Sequence, residues 1–367
     1  MPGESKGAGA NSKGGDRHGL ATEGAVLMAV VLHVIPANAL AFASSGCSKD
    51  VASRVRWLEI HAAAYRQCFV KSDAPAELAA LPADFSPSHV LIEYTSYPRI
   101  IRFLKKRWPS AWVGVRAHNI EPLQHLDNHG WWPRRGPLWM LYGMGRLLWR
   151  DIQVKCGADD ILSINDWENR AYWNRLPGRS RIEWLPYVCP AHLVPARPLP
   201  FNQRHVIACF PTSQRNRKSL DLVLRFLAFA RAMKAQGSTN EFVVTGNLEG
   251  WGLPECPEVS RPGFMADLAA FAGTCRAVAL LSPLGYGFKT TLVDAWAAGA
   301  HVLIHPELAR RAPDILKPHL IPVAGLLPAD LRQVVQRLQT PPPGPALQQE
   351  LAARFDRAMQ ACFGRSP

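Results

Sequence analysis

Short apolar runs alternate along this chain with stretches whose apolar positions recur every three or four residues. The runs at 26–34, 89–94, 112–117, 160–164 and 181–185 predict strands, and the stretches at 99–107, 138–155 and 166–176 predict helices. Runs that stay apolar at consecutive positions fit strands covered on both faces. Strand, helix and strand in succession then predict a parallel sheet with crossover helices. Between Cys189 and Arg204 the pattern stops, because prolines at 190, 195, 198 and 200 stiffen the chain and prevent a regular element. It restarts with strands at 205–210, 241–245, 277–281 and 301–304. A helix over 220–233 is apolar around most of its circumference, as a helix packed on a sheet should be. Beyond Pro341-Pro342-Pro343, the residues Leu347, Leu351, Phe355, Met359 and Cys362 form one apolar stripe.

The chain therefore reads as two α/β domains, 25–188 and 205–340, joined by a proline-rich linker at 189–204. A final helix within 341–367 is expected to pack back on them. A length of 367 residues suits two domains. Residues 1–24 hold seven glycines and few apolar residues and read as a disordered tail. Their Gly7-Ala8-Gly9 run follows no strand, so it is no nucleotide fingerprint.

Composition changes the picture in two places. A hydrophobic share of 48% can fill two cores, which excludes global disorder. The formal charge of +13 is uneven: residues 98–150 carry ten Lys/Arg against Glu121 and Asp127, together with six of the twelve tryptophans. Cations interleaved with Trp suit an anionic membrane surface, where indole sits at the headgroups and cations reach phosphates; the plainer reading is a solvated basic face with Trp in the core. Nucleic acid is not expected as a partner. The eight cysteines show no zinc or redox spacing and read as reduced, buried thiols of a reducing compartment. The uncharged stretch 25–48 ends near an Ala41-Phe42-Ala43 run like a signal cleavage site, but His33, Pro36 and Asn38 interrupt it. A buried first strand followed by a helix accounts for it better.

Candidate chemistry concentrates in residues 282–299, which follow the strand at 277–281 and open a helix near Phe288. Gly285 and Gly287 let the backbone turn tightly and approach a ligand. The free N–H groups of the helix start then face outward as an anion site, and Lys289 adds a cation. Asp294 shares a helix face with Thr290 and Thr291 and is placed to accept hydrogen bonds from a ribose diol. A glycine turn serving packing alone is the bland alternative. A nucleoside-triphosphate P-loop is disfavoured because Phe288 separates Gly287 from Lys289. A second cationic group, Arg215, Arg217 and Lys218, stands at the start of the 220–233 helix, with Ser219 as the expected N-cap. Cations at a helix start are unfavourable unless an anionic ligand meets them there.

The order Gly285-x-Gly287-x-Lys289, then Asp294-Ala295 and Gly299 ahead of a strand, resembles the donor site of group 1 glycosyltransferases of the GT-B fold. The resemblance extends over roughly residues 89–305. It takes in Arg116-Ala117-His118-Asn119-Ile120-Glu121, the strand at 206–210 with Arg215-Asn216-Arg217-Lys218, the Thr245-Gly246 turn, and Gly263-Phe264-Met265-Ala266-Asp267-Leu268. It implies two Rossmann-like domains whose parallel sheets face each other across a cleft. It further implies a nucleotide-diphosphate-sugar donor with no cofactor and no metal, and transfer of the sugar to an acceptor hydroxyl, with retention favoured over inversion. Donor contacts are then expected from Arg215, Arg217, Lys218, Gly246, Phe264, Met265, Gly285, Tyr286, Gly287, Phe288, Lys289 and Asp294. His118 is expected against the sugar, and Glu121, with Glu93, on the acceptor side. The acceptor is expected to be a glycan, lipid-linked or at a cell surface, reached from the cytoplasm with peripheral contact to the inner membrane face. Three features depart from the family pattern. Tyr286 stands where many members carry an acid eight residues before the second one, Asp294 replaces the second acid's Glu, and no glycine-rich loop follows the first strand. The alternative is therefore a GT-B-like binding or scaffold protein that has lost catalysis.

Overall fold

The computed structural model describes residues 27–39, 46–130, 136–212 and 215–364. The tail expected at 1–24 lies outside them, as do Ala41, Phe42, Ala43, Trp131, Trp132, Arg134 and Arg135. The first half builds a six-stranded parallel sheet from β1 (Leu27–Pro36), β2 (Ala62–Val70), β3 (His89–Glu93), β4 (Trp112–Ala117), β5 (Asp160–Ser163) and β6 (Arg181–Trp184), in the order β2-β1-β3-β4-β5-β6. The second half repeats the plan with β7 (Val206–Cys209), β8 (Glu241–Thr245), β9 (Val259–Gly263), β10 (Cys275–Leu280), β11 (His301–Ile304) and β12 (Leu320–Pro322), ordered β12-β11-β10-β7-β8-β9.

Helices α1 (Gly46–His61), α2 (Ala76–Ala79), α3 (Pro98–Arg107), α4 (Glu121–His129), α5 (Pro137–Gly157) and α6 (Asp166–Ala171) accompany the first sheet. The second carries α7 (Arg217–Ala235), α8 (Leu268–Ala272), α9 (Thr290–Ala297), α10 (Pro306–Arg311) and α11 (Pro328–Arg337), before the chain ends in α12 (Gly344–Phe363). Strands β3, β4, β5, β7 and β11 are buried at every position, which explains their unbroken apolar runs. The sequence pattern misses β2, β9 and β12, all of which lie at sheet edges. One side of an edge strand has no neighbour, so burial imposes less on its sequence; β9 even contains Pro262 and is exposed at three of five positions. The helix expected over 166–176 breaks after Ala171 into a 3₁₀ turn, Trp173–Arg175. Residues 189–204 hold only two such turns, Ala191–Leu193 and Phe201–Gln203.

Strand order fixes where a ligand would sit. Open parallel sheets bind ligands beyond the carboxyl ends of strands where the winding direction reverses. In the second sheet that point lies between β7 and β10, whose following loops carry Arg217-Lys218 and Gly285–Lys289. In the first it lies between β1 and β3, next to Glu93 and the start of α1. The last helix joins the halves: Leu347 and Leu351 enter the core of the second sheet, whereas Phe355, Met359, Cys362 and Phe363 enter that of the first. All eight cysteines are free, and six of them are buried.

Candidate functional site

The Gly285–Gly287 turn of the second half presses against the first half. Gly287 has φ +100°, and a Cβ there would come within 1.8 Å of the Asn119 side-chain oxygen and 3.2 Å of the His118 carbonyl. With its amide turned to satisfy its neighbours, Asn119 donates to the Tyr286 carbonyl at 3.2 Å. Gly285, φ +94°, donates its N–H to Asp127 Oδ2 on α4 at 2.6 Å. Both glycines are therefore required, one by close approach and both by left-handed backbone. The start of α9 meets the start of α1, where Gly46 abuts the Thr290 hydroxyl.

Three cations converge on this turn. A Cβ on Gly285 would lie 2.6 Å from Lys218 Cδ and 2.6 Å from Lys289 Nζ, so the two lysine chains flank it. Lys289 donates to the Gly285 carbonyl at 3.1 Å. Arg311, at the end of α10, donates to the Pro283 carbonyl and lies 4.5 Å over the Tyr286 ring. Burial, then the positive charges of Lys218 and Arg311, pushes the Lys289 ammonium down to about 7, against the opposing pull of Glu168 and Asp127. Burial also lowers Lys218 and Arg311. Glu168, on α6, lines the same cavity as Gly285, Gly287 and Lys289, and burial raises its carboxyl to about 8. Near neutrality Glu168 is thus mostly protonated and Lys289 close to its midpoint, so that Lys218, Arg311 and a protonated Lys289 face Asp127, with Glu307 also acting on Arg311. Such an excess of positive charge in a partly desolvated crevice is unfavourable unless an anion joins it.

Lys218 and Arg217 reach the site differently from the sequence expectation. The N-cap is Asn216, whose side chain accepts from the Ser219 N–H at 2.8 Å. Ser219 is instead buried within the first turn, bonded to the Thr212 hydroxyl at 2.6 Å. The cations therefore occupy the first two helical positions, because Asn216 already satisfies the capping geometry. Lys218 turns toward Gly285, while Arg217 lies at the rim beside Gly130. Arg215 is exposed and donates to the Gly250 carbonyl at 3.0 Å. Gly246, with its N–H on the Gly263 carbonyl at 2.7 Å, stands with exposed Phe264 and half-buried Met265 beyond the ends of β8 and β9. Phe288 lines the cavity with Lys289; α9 begins at Thr290, two residues later than expected, because both glycines precede it in left-handed conformation.

Asp294 is held on both oxygens by the other half of the chain. Lys49 of α1 reaches Oδ2 at 2.8 Å and the Tyr187 hydroxyl reaches Oδ1 at 2.7 Å. Its position is therefore fixed by contacts from the other half.

His118 and Glu93 lie in a buried ionic network of the first half. Glu93 accepts from Arg54 Nε at 2.8 Å and Nη2 at 2.6 Å, and pairs with His33 at 2.7 Å and His118 at 3.2 Å. Asp50 pairs with Arg116 at 2.9 Å and Arg54 at 2.8 Å, and lies 3.4 Å from His118 Nδ1. Burial favours protonation of Glu93, but Arg54 and the hydrogen bonds from His118 and His33 outweigh it and hold the carboxyl well below the usual range. The His118 ring also stacks on Tyr94 with centroids 4.3 Å apart. His118 Nε2 is thus hydrogen-bonded and its Nδ1 faces Asp50, while the His118 main chain meets the glycine turn. Glu93 is sealed from the crevice. Glu121 is half-buried at the first position of α4, close enough for its charge to raise Cys47 and Glu168. The sequence reading missed Arg311, Asp127, Lys49, Tyr187 and Glu168, which reach the site only through tertiary packing.

No protein-family model and no curated protein matches the chain. Solved structures do. The chain is similar to sucrose-phosphate synthase from Thermosynechococcus elongatus at TM-score 0.57 and 12% identity, covering 91% of this chain and 95% of that one. It is similar to HepE from Anabaena, solved in complex with UDP and glucose, at TM-score 0.54 and 12% identity over 92% and 97%. A glycosyltransferase from Rickettsia africae gives TM-score 0.54 and 12% identity over 91% and 93%. At such identity the likeness shows the fold, and the two facing parallel sheets of this chain form a GT-B architecture.

Proposed function

We propose that the protein transfers a sugar from a nucleotide-diphosphate donor to an acceptor hydroxyl, with the donor diphosphate held at the Gly285–Gly287 turn. The observation that carries this reading is the convergence of Lys218, Lys289 and Arg311 on that turn, where Asp127 accepts from the Gly285 N–H. A neighbour solved with UDP and glucose supports a donor of this class. In the reaction the acceptor oxygen bonds to the anomeric carbon while the bond to the diphosphate breaks, its electron pair leaving with the diphosphate. The three cations and the turn's amides stabilise that developing charge, a task for fixed side chains instead of a divalent ion. The diphosphate displaces Asp127 from the Gly285 N–H. Asp294, oriented by Lys49 and Tyr187, accepts from the ribose diol. The main chain at His118 and Asn119 borders the sugar, and Glu121 receives the acceptor proton. Arg217 and Arg215 guide the anion inward, and the base lies toward Gly246, Phe264 and Met265. Retention of configuration is the outcome we assign, to be read from the anomeric coupling of the product by NMR.

The acceptor we propose is lipid-linked, approached by peripheral contact with an anionic membrane. Helix α5 exposes Leu138 (80%), Tyr142 (70%) and Trp149 (61%), and α3 beside it exposes Arg99, Arg102 and Lys106. The only acid on either helix is Asp151, which is buried. Among the described residues no helix is long and apolar enough to cross a membrane, so contact would be made at the surface, where apolar side chains enter between headgroups and cations meet phosphates. Flotation with phosphatidylglycerol vesicles but not phosphatidylcholine vesicles is the expected result; equal flotation with both, or with neither, refutes it.

The donor reading is tested by calorimetric titration with uridine, guanosine and adenosine diphosphates. One of them is expected to bind, and Lys289→Met to weaken it about 10- to 100-fold, as loss of a charge-assisted hydrogen bond predicts. Absence of binding by all three, or equal binding by Lys289→Met, overturns it.

A further inference from the structure

Glu168 is fully buried, and neither of its carboxyl oxygens has a hydrogen-bond partner. Buried carboxyl groups are ordinarily satisfied, and one that is not calls for a ligand or water to complete it. Its position offers a structural task that it does not perform. Asn165 caps α6 by accepting from the Trp167 N–H at 3.0 Å, and an acid three residues after the cap can reach back to the cap's own N–H. Glu168 makes no such bond. It lines a small cavity of about 20 Å³ between the halves instead, room for one hydroxyl-sized group, together with Asn165 and Trp167 from its own side and Gly285, Gly287 and Lys289 from the other. No ion pair holds it: Lys289 couples to it electrostatically but spends its hydrogen bond on the Gly285 carbonyl.

We infer that Glu168 is the residue that grips a ring hydroxyl of the donor's sugar, inserted into this cavity, and that it supplies from the first half the recognition that distinguishes a nucleotide sugar from a bare nucleoside diphosphate. This rests on the donor reading above. A carboxyl group beside a diphosphate-binding turn, with all its oxygen lone pairs unused, is matched by a ligand rich in hydroxyl donors. A protonated carboxyl serves as well, since it both donates and accepts. The gain in specificity follows from the burial of the carboxyl: a site built to bond a hydroxyl leaves its buried polar group unpaired with a ligand that lacks one.

The test compares binding of uridine, guanosine and adenosine diphosphates with that of their glucose and mannose conjugates, in the full chain and in two variants. Glu168→Leu keeps the volume and removes the hydrogen-bonding group; Glu168→Gln keeps both donor and acceptor atoms. In the unmodified protein one conjugate should bind at least tenfold more tightly than its bare diphosphate. Glu168→Leu should bring the two within about twofold by weakening the conjugate alone, and Glu168→Gln should restore part of the difference. The leucine variant should also melt no lower than the parent, because it deletes an unpaired buried acid; should it fail to fold, a loss of half or more of the preference in Glu168→Gln decides. An unchanged preference in the variants overturns the assignment while leaving the diphosphate site standing, as does a parent that binds diphosphate without preferring any conjugate. A parent that binds none of the diphosphates brings down both.

Discussion

The molecule contains two clusters of charge at the carboxyl ends of its two sheets, and they are built on opposite principles. In the first half, Arg54 and Arg116 are matched by Asp50 and Glu93, with His33 and His118 completing the hydrogen bonds. The network balances and is closed to solvent. In the second cluster, Lys218, Lys289 and Arg311 gather with Asp127 facing all three and Glu307 beside Arg311. A balanced buried network completes a structure, whereas an unbalanced one is completed by something that binds. The resemblance points to both regions, yet only in the second do the cationic side chains outnumber the acids that face them.

Breaking the first cluster should cost the most. Arg54→Met leaves Asp50 and Glu93 short of a partner, and removal of one member of a buried pair typically destabilises by about 3–5 kcal/mol. Urea unfolding of the variant checks this, and a loss below about 1 kcal/mol would show that the network is not structural. The second cluster should behave in the opposite sense. Arg311→Met should weaken nucleoside diphosphate binding by about 10- to 100-fold and leave the melting temperature unchanged or higher, because it relieves repulsion on Lys289. A variant that both binds and melts like the parent removes Arg311 from the site.

The pH dependences sharpen the contrast. Lys289, free near 7, is held charged by a bound diphosphate, so affinity should fall as pH rises above about 7, where binding must take up a proton. Stability should change with the other sign. Between about 7 and the ordinary lysine range the unfolded chain binds more protons at this site, so its contribution to stability rises with pH. Lys289→Met should flatten both slopes, which titration calorimetry and melting curves at several pH values would reveal. The smallest effect is expected from Asp127→Asn, which removes the carboxylate competing for the Gly285 N–H. A fewfold gain in diphosphate affinity is expected, and a loss would mean that Asp127 helps hold the ligand and does not merely stand in for it.

How much of this was legible in the sequence depended on how locally each feature is encoded. The strand at 112–117 was read to the residue because both faces of β4 are covered, so each position must be apolar or paired. Edge strands β2, β9 and β12 left no such mark. The glycine turn and Lys289 were readable because a tight backbone turn demands glycine at fixed spacing. Arg311, Asp127 and Lys49 were not, since nothing local to α10, α4 or α1 demands a charge there; Asp127 and Lys49 meet Gly285 and Asp294 of the other half, and Arg311 meets Pro283 and Tyr286, far from it in sequence. His118 stands at a strand end as expected, but no sequence rule says which of its atoms border the cleft; its ring lies between Glu93 and Asp50 while its carbonyl lies against the Gly287 turn.

Helix α12 has a mechanical consequence. The chain passes between the halves through 189–204 and crosses back between Leu351 and Phe355, which belong to different cores. Two crossings act like two pins on a door: they permit swinging about the line that joins them and resist twisting or sliding apart. Any widening of the gap must then be taken up in the two crossings, the irregular 189–204 segment and that single turn of helix, so that both cores stay intact.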